Sequence, residues 1–124
     1  MYSLTGLDML LLSTTGRRTG YSRYTPLLYI HDSGQYYSVA SFGGNASHPK
    51  WFLNLVDDPK VHLLVRRKRI NAVAQVISGQ ERSRVWENLV NCYPSFAKYQ
   101  ERTDRTIPVI KFSPVTDTGE NSKT

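Results

Sequence analysis

The chain has 124 residues, 40 % hydrophobic and 21 % charged, which fits one compact domain with an apolar core and excludes wholesale disorder or two full domains. No apolar run approaches the roughly 18 residues of a membrane-spanning helix, no basic segment precedes the first apolar stretch as in a secretory signal, and one cysteine with three histidines excludes an internal disulfide or a cysteine-based zinc site. The formal charge is +6, and residues 1–70 hold nine bases against four acids, so an anionic partner is expected: nucleic acid, a membrane surface, or a phosphorylated or polycarboxylate small molecule.

Period-two runs of β-branched and aromatic residues predict a first strand from Asp8 to Thr14 and a second from Tyr24 to His31. Between them lies Thr14-Thr15-Gly16-Arg17-Arg18-Thr19-Gly20, followed by Arg23. Its glycines let backbone amides converge, its hydroxyls add donors, and its guanidiniums suit phosphate or carboxylate, so it reads as an anion cradle. On composition alone an ordinary hairpin with solvated arginines is the favoured reading; the ending of a Walker loop is missing. His31-Asp32-Ser33-Gly34 then predicts a tight antiparallel turn into a third strand, Gln35 to Phe42.

The next segment, Ala40-Ser41-Phe42-Gly43-Gly44-Asn45-Ala46-Ser47-His48-Pro49, takes a strand through paired glycines into a helix predicted over His48 to Val56. Paired glycines allow a flat ligand to approach bare backbone, and a helix start offers amide donors; the alternative is a plain strand-to-helix connection. Strands from Val61 to Arg67 and Arg69 to Ile77 follow, and alternation along them would send the basic run Arg66-Arg67-Lys68-Arg69 to both faces. A solvated hairpin explains that run, and a nucleic-acid-binding barrel is the competing reading.

Ser78 and Glu81 have capping-box spacing ahead of a helix over Glu81 to Asn91, and Cys92 has no neighbour that would activate it. Tyr93-Pro94 interrupts, and a third helix is predicted over Ser95 to Thr103. Tyr93, Phe96 and Tyr99 could line a pocket wall or simply pack the helices, and a phenol there could donate a proton to an oxyanion. A last strand, Thr106 to Phe112, precedes a tail over residues 113–124 that is expected to be disordered. Antiparallel strands with late helices and no βα alternation predict a mainly β chain: over residues 1–112, a single split β-barrel domain of about six antiparallel strands with three short flanking helices.

Read together, LLLSTTGRRTGYSRYTPLLYI, VASFGGNASHPKWFLNLVDDP and NCYPSFAKYQERTDRTIPVIKF resemble the deazaflavin-dependent nitroreductase family from about Leu10 to Phe112. The resemblance implies a split barrel that uses reduced 8-hydroxy-5-deazaflavin, coenzyme F-420, as hydride donor to a small electron-poor acceptor such as a quinone, enone or nitro compound. It assigns Arg17, Arg18 and Arg23 to the cofactor's phosphate and acidic tail, Ser41, Gly43, Gly44 and the helix start at His48, Pro49 and Trp51 to its ring system, and Thr15 and Phe42 to the cofactor site as well. Tyr93 and Tyr99 would border the acceptor, with Tyr99, Ser41 and Tyr93 as candidate catalytic groups. The chain departs from the family pattern at Leu28, Phe42, Phe52 and Phe96. An FMN-binding split barrel is the alternative with the same fold. The expected setting is the cytoplasm, in solution or peripheral to a membrane, as a monomer or homodimer without nucleic acid, metal or an integral span.

Overall fold

The computed structural model describes residues 9–40 and 48–115. Seven strands and three helices follow in the order β1 (Met9–Thr15), β2 (Ser22–Leu28), β3 (Ile30–Asp32), β4 (Gln35–Val39), α1 (Lys50–Asp57), β5 (Lys60–Val65), β6 (Lys68–Val76), α2 (Gly79–Cys92), α3 (Ser95–Glu101) and β7 (Val109–Pro114). All the strands join one antiparallel sheet in the order β2-β1-β5-β6-β7-β4-β3, curled into a split barrel.

Seven strands replace the six expected because the second predicted strand is two. β2 pairs with β1 at one edge of the sheet and β3 pairs with β4 at the other, with Tyr29 alone between them. The chain therefore passes from one edge to the other at a single buried residue, which draws the edges to a common corner. The period-two pattern runs unbroken through Tyr29, so periodicity does not reveal the change of partner.

Turn chemistry explains both short hairpins. Ser33 and Gly34 have φ of 53° and 79°, the mirror-image turn that suits the right-handed strand twist. The β5–β6 connection has the same form with Arg66 and Arg67 at φ of 51° and 70°. This corrects the expected strand limits: Arg66 and Arg67 form the turn, and only Lys68 and Arg69 enter β6. β7 likewise continues through Ser113 and Pro114, past the expected domain end, and starts at Val109 instead of Thr106.

Two apolar clusters result. Leu10, Leu12, Leu27, Leu63, Ala74 and Phe112 fill the barrel, and Trp51, Phe52 and Leu55 plug α1 into it. On the other side of the sheet, Tyr37, Val39 and Val109 pack against Val85 and Leu89 of α2 and Phe96 of α3. β4 and β7 are buried on both faces, and α1 and α3 approach the same mouth. The expected capping box at Ser78 does not form: Ser78 makes no side-chain cap bond, and Glu81 instead accepts a bond from Lys111 Nζ at 2.9 Å. Among the described residues, no helix is long and apolar enough to cross a membrane.

A non-glycine residue in the left-handed region costs roughly 1–2 kcal/mol. Arg67→Gly should therefore raise the unfolding free energy by about 0.5–1 kcal/mol once the extra freedom of glycine in the unfolded chain is subtracted. Urea unfolding checks this: an unchanged or lower midpoint contradicts it.

Candidate functional site

The loop between β1 and β2 is folded by its own backbone. Gly16 N donates to Tyr21 O and Gly20 N to Gly16 O, each at 2.8 Å. A Cβ at Gly16 would lie 2.9 Å from Thr19 Oγ1 and 3.2 Å from Tyr21 O, and Gly20 has φ +76°, so both positions favour glycine. α1 holds this loop from below. Asn54 is only 7 % exposed; its Oδ1 accepts from Arg17 N at 3.2 Å and its Nδ2 donates to Thr14 Oγ1 at 3.3 Å.

Above this support opens a cavity of about 730 Å³ whose wall includes Arg17, Arg18, Arg23, Lys50, Trp51 and Asn54. No acidic side chain lines it among the described residues. Cations so placed in a concave site concentrate positive potential on one ligand, and three guanidiniums offer planar donor pairs to phosphate or carboxylate.

A second cavity of about 580 Å³ adjoins the first through Thr25, Lys50 and Trp51, which line both. Its remaining wall is largely apolar, with Leu27, Leu28, Val39, Pro49 and Phe96, and its polar groups are few. The Ser38 hydroxyl is already donated to Leu28 O at 2.6 Å. Thr25 and Tyr99 add hydroxyls, and Lys50 is the one charged residue among the described lining. The Tyr99 ring is braced by Phe96 at 6.2 Å between centroids and by the Arg102 guanidinium at 5.8 Å.

The candidates from the sequence distribute unevenly over this groove. Arg17, Arg18, Arg23 and Trp51 meet at the basic cavity, while Trp51, Pro49 and Tyr99 meet at the apolar one. Thr15 is a ladder residue paired with Ser22 and lines neither cavity. Ser41, Phe42, Gly43 and Gly44 lie outside the described residues. His48 is also outside both walls: its Nδ1 is 3.1 Å from Arg105 Nη1 and its ring 4.8 Å from Phe52. Burial, and then the Arg105 charge, push its pKa below the ordinary 6.5, which favours the neutral imidazole.

Tyr93 is placed differently from Tyr99. It is 8 % exposed, lines neither cavity, and donates its hydroxyl to Tyr29 O at 2.8 Å. Its hydroxyl therefore serves the corner where β2 passes into β3. The residues missed by sequence reasoning are Thr25, Lys50, Asn54 and Arg105. Asn54 carried a signal, since it is a lone polar residue inside the apolar run Trp51 to Val56. Arg105 carried none, because its partners Ala40 and His48 are distant in sequence.

Fold and groove define a split-barrel protein with a basic cavity joined to an apolar one. The chain matches the F420H(2)-dependent quinone reductase family over residues 1–114. The F420H(2)-dependent quinone reductase Rv1261c of Mycobacterium tuberculosis is 39 % identical over 107 residues, which span 82 % of this chain and 70 % of that protein. A solved F420-H2-dependent reductase, FDR-A, superposes with a TM-score of 0.80 at 37 % identity, covering 86 % of this chain and 94 % of that one. A second solved chain, described as a domain-swapped dimer, gives 0.80 at 37 % identity over 89 % of this chain and 84 % of that one. This chain belongs to the F420H(2)-dependent quinone reductase family.

Removing the Tyr93 hydroxyl takes a buried donor from Tyr29 O, so Tyr93→Phe should destabilise the fold by about 1–2 kcal/mol. Tyr99→Phe should leave stability within about 0.5 kcal/mol, as is usual for a change at a cavity wall away from buried networks. Equal unfolding free energies for both variants would contradict the assignment of Tyr93 to the corner.

Proposed function

We propose that this protein transfers a hydride from reduced coenzyme F-420 to a quinone. The reading is carried by the continuous groove, in which a cavity lined with arginines meets an apolar cavity across Thr25, Lys50 and Trp51. Reduced deazaflavin supplies a proton with two electrons as a hydride, and the protein's task is to bind, orient and polarise. Arg17, Arg18 and Arg23 would hold the cofactor's phosphate and acidic tail, and Pro49 and Trp51 would flank the ring system as it enters the apolar side. A quinone is a flat, largely apolar acceptor, which suits walls of leucine, valine, proline and phenylalanine. Its reduction leaves negative charge on a carbonyl oxygen. Lys50 would stabilise that charge, and the Tyr99 hydroxyl, borne on a helix, would donate the proton.

Three arginines favour a ligand with several negative charges, so the deazaflavin should bind more tightly than FMN. Fluorescence titration with both cofactors tests the reading, and equal or better affinity for FMN overturns it. In the same titration, Arg17→Ala combined with Arg18→Ala should weaken deazaflavin binding by at least about tenfold and flatten its dependence on salt, each lost charge-assisted bond being worth about 1.5–3 kcal/mol. Affinity that matches the wild type at every ionic strength would remove the arginines from the site.

Tyr99→Phe should lower quinone turnover by about 10²-fold with cofactor affinity nearly unchanged, the size expected for loss of one general acid. Steady-state rates at saturating cofactor measure this; wild-type turnover would leave Tyr99 as a wall residue only.

A further inference from the structure

Arg105 lies on the connection from α3 to β7, outside both cavity walls, yet its side chain joins two segments that are distant from it in sequence. Nη2 donates to Ala40 O and Nη1 meets His48 Nδ1, each at 3.1 Å. Ala40 directly follows β4, and His48 stands two residues before α1. One planar fork thus bridges the residue that follows β4 and the approach to α1, which seven residues separate in sequence. The backbone that carries this side chain is itself held. Arg105 N donates to Thr103 Oγ1 at 3.3 Å, Arg105 O accepts from Gln100 Nε2 at 2.8 Å, and Gln100 Oε1 accepts from Ile107 N at 2.9 Å.

A guanidinium can only donate, so Nδ1 of His48 must present its lone pair and the ring proton of the neutral imidazole resides on Nε2. The lowered pKa of His48 agrees with that assignment. Immediately after His48 come Pro49, Lys50 and Trp51, which form the first turn of α1 and its approach; Lys50 and Trp51 stand where the two cavities meet. That turn has no side-chain cap, and its first helical bonds, Phe52 N and Leu53 N to Pro49 O, are 3.1 and 3.4 Å. Its position therefore depends on what fixes the chain just ahead of it.

We propose that Arg105 is a positioning residue for the ligand groove: by bridging Ala40 O and His48 Nδ1, it sets where the first turn of α1 places Lys50 and Trp51 at the junction of the cavities. A lysine cannot replace it, since one ammonium lacks the planar fork that serves both acceptors. The inference rests on the two-cavity reading of the site, but its structural half is measurable without any ligand.

The test compares wild type, Arg105→Met and Arg105→Lys in the full chain by three readouts. Nitrogen NMR should show the Nε2–H tautomer of His48 in the wild type and a tautomer mixture in Arg105→Met. Amide exchange at Phe52 and Leu53 should quicken by about tenfold or more in Arg105→Met, while Leu63 in β5 stays protected, because the loss is local. Deazaflavin affinity, read by fluorescence, should fall by about tenfold, the ratio expected when one charge-assisted bond that orders the site is lost. Arg105→Lys should keep the fold and still show faster exchange.

An unchanged tautomer with unchanged exchange overturns the clamp. Equal acceleration at Leu63 makes Arg105 a general stabiliser and overturns its positioning role, as does local acceleration with wild-type affinity. Should Arg105→Met fail to fold, the same readouts in Arg105→Lys decide. A wild type that binds no deazaflavin refutes the proposed function instead, while tautomer and exchange still report on the clamp.

Discussion

The architecture depends on one backbone event, the passage of the chain from β2 to β3 across Tyr29. A buried carbonyl at such a change of partner needs a donor, because leaving it unpaired costs about 1–3 kcal/mol. Two hydroxyls meet that need: Ser38 in β4 donates to Leu28 O, and Tyr93 after α2 donates to Tyr29 O. These bonds tie the corner to the sheet on one side and to the helical layer on the other. The apolar cavity is a consequence, since Leu28 and Ser38 of the corner and Phe96 and Tyr99 of α3 become parts of one wall.

The positive charge is divided by the same geometry. β1 runs between two basic groups, because the register Leu11 to Leu64 and Ser13 to His62 puts the Arg66–Arg67 turn at its Met9 end and the Arg17–Arg18 loop at its Thr15 end. A strand of seven residues spans about 20 Å, more than twice the screening length of roughly 8 Å at physiological salt. The two groups therefore do not act as one surface. The field inside the basic cavity comes first from Arg17, Arg18, Arg23 and Lys50, and the net charge of the whole chain overstates it.

Strand content, the hairpin at Ser33-Gly34, all three helices and the arginine loop were legible because each follows from local periodicity or turn chemistry. What escaped were features that local patterns do not encode. Tyr29 keeps the alternation of its neighbours while the partner strand changes, so two strands read as one. Arg66 and Arg67 hold a backbone conformation that glycine or asparagine would have announced. Tyr93 and Tyr99 looked equivalent in sequence, and only tertiary placement separates a tyrosine whose hydroxyl ties down a carbonyl from one that lines a cavity. The assignment of Arg17, Arg18 and Arg23 to one site rested on resemblance as much as on composition, and Lys50 joined them only when α1 was placed.

α1 is the element on which both halves of the groove converge, and it is short. Its apolar face, Trp51, Phe52 and Leu55, anchors it in the barrel, but apolar packing is nondirectional and leaves rotation and small shifts inexpensive. Directional bonds act near both of its ends. Toward its last turn, Asn54 links it to Thr14 and to the backbone of Arg17; ahead of its first turn, Arg105 holds His48. Hydride transfer requires donor and acceptor atoms at near-contact distance in a fixed orientation, and a displacement of about 1 Å can lower the rate by 10²-fold. A wall shared by two cavities therefore needs more than burial to define it. Polar bonds with specific partners at each end give α1 one position, and that position sets the relation between the basic and the apolar cavity.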